Sequence, residues 1–291
     1  MKEFDFDMAS SVPLAELLRP KKLDEVVGQE GLLGRDGRLQ LMLAQGNLGS
    51  VILWGPPGTG KTTIARLLAG AADMVFEPVS AVFDGVAELR KVFARAEERR
   101  QAGQRTLLFV DEVHRFNKVQ QDGLLPRVED GTVTLVGATN ENPSFALNGA
   151  LLSRAQVLVL ERLDKAALEA ILVRVEEHIG HPLPIDSAAR ADLCAMADGD
   201  GRYLLNMVTL LIDRPKKPTL DTAAISQIPK KLKTQLELHG KLICPVGDGK
   251  KQHLLLLEKK SKDEFHETIL DSVLFVPMLE GKVSDCLLYT S

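Results

Sequence analysis

The sequence predicts an α/β fold: a five-stranded parallel sheet covered by helices on both faces, followed by a small helical domain. Three observations predict it. Short apolar runs alternate with segments of helical period as far as Leu160, a glycine-rich turn joins the first run to the first long helix, and beyond Leu160 only the helical period continues.

The strands are read first. Val51–Trp54, Met74–Val79, Thr106–Val110, Thr132–Ala138 and Gln156–Leu160 are short, apolar and partly β-branched, as strands buried on both faces must be. Between them lie helices at Lys61–Ala72, at Val86–Gln101 with a Leu89/Val92/Phe93 stripe, and near Lys118–Val128. After the fifth strand, Asp164–Ile179 presents Leu168, Ile171, Leu172 and Val175 on one face. Gly180 to Pro184 end that helix, Asp186-Ser187 caps a second one running to Ala197, and a third begins near Gly201. The domain reading is therefore a core over residues 1–162 and a helical lid over residues 163–214.

Composition sets limits on function. At 291 residues with 45% hydrophobic and 26% charged residues, the chain is long enough for a sizeable core and is ordinary for a globular protein. No uncharged run approaches the ~18 residues of a membrane-spanning helix. The acidic start, Met1 to Asp7, lacks the order of a secretory signal, and Cys194, Cys244 and Cys286 offer neither a disulfide framework nor a Cys-x-x-Cys pair, so the expected location is the cytoplasm. A net charge of −4 argues against a globally basic nucleic-acid binder.

The chain is not uniform, however. Up to Arg214 it holds 17 Arg and 7 Lys against 30 acids, whereas residues 215–291 hold 12 Lys and no Arg against 10 acids. Leu254–Leu257 sit between lysine clusters without a clean helical or strand period. Residues 215–291 stay unassigned, with two readings open: a lysine-rich helical domain, or a frame-shifted or chimeric stretch. Residues 286–291 read as the translated end of a sequencing adapter, to be left out of fold reasoning.

The chemistry lies in two motifs. Gly55-Pro56-Pro57-Gly58-Thr59-Gly60-Lys61-Thr62 fits G-x-x-x-x-G-K-[ST] between a strand and a helix, which makes it the phosphate loop of a P-loop NTPase. Its glycines let backbone N–H groups turn toward phosphates, the helix that follows offers the positive end of its dipole, Lys61 reaches the β and γ oxygens, and Thr62 can ligate Mg²⁺. Leu107 to Val110 then lead into Asp111-Glu112, a Walker B pattern. Asp111 is assigned to the Mg²⁺ shell, and Glu112 to orienting and deprotonating the attacking water.

On these residues the chain resembles the AAA+ ATPases, and within them the family of replication-associated recombination protein A and the Werner-helicase-interacting protein. The resemblance covers residues 13–214. It rests on Leu53 to Thr63, on Phe109 to Lys118 with its His-Arg-Phe-Asn-Lys stretch, and on Gly137 to Phe145 with Glu-Asn-Pro-Ser-Phe.

It implies that Asn140 is sensor 1, with Thr139 as a substitute, that Arg154 is an arginine finger serving a neighbouring subunit, and that Arg202 is sensor 2. It also implies that the segment from Arg19-Pro20 to Gln29 brackets adenine, with Val27 and Gly28 as contacts, and that Thr63 completes the phosphate loop. The implied cofactors are ATP and Mg²⁺. The implied partners are forked or single-stranded DNA and the replication and recombination proteins, at the nucleoid.

The implied assembly is a homo-oligomer, a tetramer in the family, but the family's helical oligomerisation domain is not recognisable in Pro215–Ser291. The function so implied is a DNA-associated ATPase of replication-fork maintenance and recombination. A clamp-loader-like subunit and a non-hydrolysing, nucleotide-gated scaffold are the alternatives. His114 is read as part of a subunit-facing or DNA-facing segment, or as merely structural. The Arg90, Lys91, Arg95, Arg99 and Arg100 helix reads as a solvated face, because Glu88, Glu97 and Glu98 interleave with its charges.

Overall fold

The computed structural model describes residues 12–212 in full and the backbone of residues 241–248, 251–259 and 265–273. The N-terminal segment carries three short helices, α1 (Leu14–Leu17), α2 (Glu30–Leu33) and α3 (Arg38–Ala44). Then strand and helix alternate as the periodicity predicts: β1 (Val51–Trp54), α4 (Lys61–Ala71), β2 (Met74–Ser80), α5 (Val86–Gln101), β3 (Arg105–Asp111) and α6 (Lys118–Glu129). They are followed by β4 (Thr134–Thr139), the single-turn helices α7 (Pro143–Ala146) and α8 (Gly149–Leu152), and β5 (Gln156–Val159).

The five strands form one parallel sheet in the order β2-β3-β4-β1-β5. Alternate residues feed two cores, because successive side chains of a strand point to opposite faces. Val51, Leu53, Leu107, Phe109, Val136 and Ala138 pack with Ile64, Ala65 and Leu68 of α4 and Leu39 of α3. Ile52, Leu108, Val110 and Leu135 pack on the other side with Leu89, Val92 and Ala96 of α5 and Leu124 of α6. Burying both faces is why these runs are continuously apolar rather than alternating.

Three helices follow the sheet: α9 (Lys165–Ile179), α10 (Ser187–Ala197) and α11 (Gly201–Ile212). Asp164 and Asp186 cap α9 and α10 by accepting from the N–H groups of Ala167 and Ala189, each at 2.7 Å. Gly180 ends α9 in the left-handed conformation, as the Gly180 to Pro184 stretch predicts.

The chain divides between Thr222 and Ala223 into two units, with the parallel sheet and the three helices after it in the first. In the second unit β6 (Lys241–Asp248), β7 (Lys251–Lys259) and β8 (Phe265–Val273) form an antiparallel sheet in that order. The sequence leaves residues 215–291 unassigned, and these strands differ from the helical one of the two readings open for them. The run Leu254–Leu257 lies inside β7, where four apolar residues in succession carry no alternation to read.

Candidate nucleotide site

The parallel register brings three strand ends to one level. Trp54 of β1 pairs with Thr139 of β4, Val110 of β3 pairs with Gly137, and Ser80 pairs with Asp111. Gly55 therefore begins the phosphate loop beside the strand that ends in Asp111. One cleft opens above these ends and is lined by Pro57, Gly58, Thr59, Gly60, Lys61, Thr62 and Thr63, together with Asp111, Glu112 and Arg202. Gly55 and Pro56 sit behind the lining, where their carbonyl oxygens accept from Lys61.

Gly58 and Gly60 adopt φ of +70° and +94°, the torsions that turn consecutive N–H groups toward a single anion. Lys61 is only 9% exposed, and its Nζ donates to the carbonyl oxygens of Gly55 and Pro56, both at 2.7 Å. Burial pushes its pKa below the usual lysine range, opposed by the carboxylates of Glu112 and Asp111, while Arg202 adds to the lowering. Five charged groups thus bear on one another, since Asp200 at the start of α11 also acts on this ammonium.

Asp111 and Glu112 differ in setting, as their different assigned roles require. Asp111 ends β3, and its Oδ1 accepts from the Glu112 N–H at 3.2 Å. Glu112 is in the left-handed region at φ 53°, one of three non-glycine residues with positive φ among those described. That torsion swings its side chain out of the strand, and the carboxylate keeps 32% of its exposure.

Among the described residues no group of three or more His, Cys, Asp and Glu side chains is placed to hold a metal by itself. Thr62 and Asp111 face the same cleft. A hydroxyl and a carboxylate fit Mg²⁺, which keeps several waters and takes the rest of its shell from substrate phosphates.

The remaining predicted residues divide. Val27 lines the cleft, but Gly28 lines a neighbouring one with Gln29, Arg38 and β5. Asn140 is exposed, one residue past β4, and is not in the lining; Thr139 beside it is fully buried. Arg154 is also outside the cleft, paired with Glu129 and donating to the Ala150 carbonyl at 2.8 Å. His114, for which the sequence leaves a partner-facing and a structural reading both open, has a side chain 5% exposed, set among Glu112, Thr139 and Glu141. The charges of α5 are largely spent within the fold, Arg95 and Arg99 on Glu77 and Lys91 on Glu88.

Arg174, Leu163, Ile171 and Leu205 also line the cleft and escaped the motif reading, whereas Arg19 lies in the segment expected to bracket adenine. Arg19 donates to the Thr63 hydroxyl at 3.0 Å, and Arg174 of α9 donates to the Glu25 carbonyl. Leu163, Ile171 and Leu205 add an apolar wall opposite Val26 and Val27, suited to a flat base. Arg174 had a weak signal, since it follows Ile171 by three positions on the inward edge of the α9 stripe.

Comparison with known proteins agrees with this geometry. Residues 51–163 match the profile of the ATPase family associated with various cellular activities (AAA). Residues 214–283 match that of protein-L-isoaspartate(D-aspartate) O-methyltransferase. Replication-associated recombination protein A of Escherichia coli K12 is 45% identical over 214 residues, covering 72% of this chain and 48% of that protein. The protein of the same name from Coxiella burnetii is 50% identical over 207 residues, covering 69% and 47%. ATPase WRNIP1 of Dictyostelium discoideum is 42% identical over 217 residues, covering 73% and 25%.

The solved structure of the Thermotoga maritima RuvB Holliday junction branch migration motor superposes with a TM-score of 0.58 at 27% identity, covering 75% of this chain and 74% of that one. The chain spans about half the length of the bacterial relatives named here. Through the portion that carries the phosphate loop, it belongs to the replication-associated recombination protein A family of AAA ATPases.

Proposed function

We propose that this chain binds ATP with Mg²⁺ and hydrolyses it, coupling turnover to the remodelling of DNA, or of proteins on DNA, in replication and recombination. The observation that carries the reading is the convergence of Lys61, Asp111, Glu112 and Arg202 on one cleft fronted by the phosphate loop. A bound Mg²⁺ would be held by Thr62 and Asp111 and would neutralise charge on the phosphates.

The other steps belong to the side chains. Backbone N–H groups of Gly58 to Lys61 and the Lys61 ammonium grip the phosphate oxygens, and Arg202 approaches them from α11. The three helices thus act as a lid over residues 163–214. Glu112 orients a water and accepts its proton as the oxygen attacks phosphorus and ADP leaves. Val26, Val27, Leu163, Ile171 and Leu205 receive the adenine. Arg154, which lies outside its own cleft, supports the trans role of an arginine finger, and the active form is then an oligomer.

DNA and the replication and recombination machinery are proposed as partners on the strength of the named relatives, and the nucleoid as the place of action. The methyltransferase match supports a composite chain, an ATPase portion joined to a segment of a second family. It weighs against a shifted reading frame, because an out-of-frame stretch carries no family's pattern.

The test is a set of variants and substrates. Lys61→Ala should abolish ATP binding, whereas Glu112→Gln should retain binding and lose turnover. Turnover stimulated by forked or single-stranded DNA, and falling with salt, supports the DNA worker. Turnover indifferent to every DNA points to the ring-opening subunit, and tight binding without any turnover points to the scaffold.

A further inference from the structure

We propose that His114 is a positioning residue for the hydrolysis reaction: its ring fixes the Glu112 carboxylate and ties it to Thr139 at the end of β4. The inference rests on the reading of Glu112 as the base that activates water.

His114 lies in the single turn Val113–Arg115 that follows the two carboxylates. Its Nδ1 is 2.9 Å from the Thr139 hydroxyl, and its Nε2 lies 3.3 Å from Glu112 Oε2 and 3.4 Å from Glu141 Oε1. The ring is 5% exposed and Thr139 is fully buried, so water is kept from the Nδ1 contact, while the carboxylates on the Nε2 side stay partly solvated.

The hydrogen positions follow from the neighbours. Nε2 faces two carboxylate oxygens, and a lone pair there would meet only negative charge, so Nε2 carries the hydrogen. The single Thr139 hydroxyl hydrogen has two acceptors in reach: the shorter contact gives it to Nδ1 in the neutral ring, whereas in the cation Nδ1 donates to the hydroxyl, which turns its hydrogen to the Glu141 carbonyl at 3.2 Å. Both states keep a hydrogen on the nitrogen that lies 3.3 Å from Glu112, an ion-pair distance from which a small rotation of the carboxylate completes the hydrogen bond.

The consequence concerns Glu112. Its backbone sits at φ 53° and its carboxylate is one-third exposed, so the backbone alone does not determine where the oxygens point. A buried donor anchored on the β4 end does, which narrows the carboxylate's orientations to those near the water it must deprotonate. The anchor is also the residue before Asn140, and the Thr139 hydroxyl accepts from the Glu141 N–H at 3.1 Å. The base is thereby wired to the segment that follows β4, and Glu141 is a second acceptor competing for the same Nε2.

The experiment uses the full chain under single-turnover conditions with saturating Mg-ATP, alongside direct measurement of nucleotide affinity. His114→Phe keeps the ring volume and loses the donor. It should lower the hydrolysis rate by about tenfold or more while ATP affinity stays within about twofold. His114→Gln, whose amide reaches the Nε2 position, should recover most of that loss, and Thr139→Val should give an intermediate defect. Glu141→Gln should leave the rate near wild type.

A readout independent of turnover is the ¹⁵N spectrum of the ring without nucleotide: Glu112→Gln should move the Nε2 resonance, and Thr139→Val the Nδ1 resonance. An unshifted Nε2 in Glu112→Gln overturns the proposal even where turnover is too slow to measure. So does a wild-type rate in His114→Phe, or an equal loss of ATP affinity and rate, which marks a purely structural ring. If Glu141→Gln reproduces the His114→Phe defect, the ring serves Glu141 instead and the proposal falls. Should His114→Phe fail to fold, His114→Gln and Thr139→Val carry the test alone. A fully active Glu112→Gln, by contrast, removes the base assignment itself, whatever His114 does.

Discussion

Gly58→Ala tests how closely the phosphate loop is fitted to the helix that carries Arg202. An ideal Cβ at Gly58 would fall 1.8 Å from Asp200 Oδ1 and 2.9 Å from Asp200 Cα, so Asp200 must move. Its Oδ1 accepts from the Tyr203 N–H at 2.9 Å near the start of α11, a cap whose loss costs about 1 kcal/mol. Holding an L-residue at φ +70° costs a further 1–2 kcal/mol or so. The expected destabilisation is about 2–3 kcal/mol, or roughly 4–12 °C in melting temperature for a unit of this size. Trp54 is the chain's single tryptophan and sits at the end of β1, so its fluorescence follows the unfolding of this unit.

Gly60→Ala is the control. It shares the positive φ, at +94°, but nothing among the described residues lies within 4 Å of its Cβ, so it should lose only the torsional part. In an Asp200→Ala background the extra cost of Gly58→Ala should shrink toward that of Gly60→Ala. Coincident melting of the two single variants would refute the steric argument.

Glu77 is buried and held well below the usual carboxylate range, chiefly by its bond to Arg95, with Arg99 assisting. A depressed carboxylate stabilises the fold above its unfolded value, and that stability is lost as pH falls from 4.5 through the native value. Glu77→Gln should therefore flatten the acid limb of the stability curve, measured by urea unfolding at stepped pH. Lys61 gives a slope of the same sign at alkaline pH for a different reason: burial disfavours its charged form, so stability should rise as pH climbs through its lowered pKa toward 10.5, and Lys61→Met should abolish that rise. Burial raises the Cys194 thiol above its usual range, so peptide mapping after alkylation at neutral pH should find Cys194 unmodified in the native chain and modified in urea.

The centre of the sheet was legible because both faces of β1, β3 and β4 are buried, which makes those strands nearly uninterrupted apolar runs, and because the crossover helices α4 and α5 carry their own apolar stripes. Boundaries moved by one or two residues: β3 takes in Arg105 and Asp111, and β4 starts at Thr134 rather than Thr132. The phosphate loop and the Asp111-Glu112 pair were legible because their spacing is local. What sequence could not show was depth. His114 reads as a polar residue in a charged stretch, and only the left-handed turn at Glu112 brings it inward against Thr139. Arg174 reaches the cleft from α9, far along the chain from the Arg19 segment that the resemblance brings to the nucleotide, and no local pattern marks that meeting. The strands after Lys241 were hidden for a different reason: antiparallel pairing leaves little periodic trace when apolar residues run consecutively.

The Lys61 ammonium has two close carbonyl acceptors in its own loop. The ammonium has three hydrogens and two are committed to Gly55 and Pro56, so binding a triphosphate here is in part an exchange of partners. A measured dissociation constant then reports the gap between two satisfied arrangements, smaller than a tally of new phosphate contacts would suggest. Substitutions that loosen those two carbonyls could tighten nucleotide capture without touching the ligand.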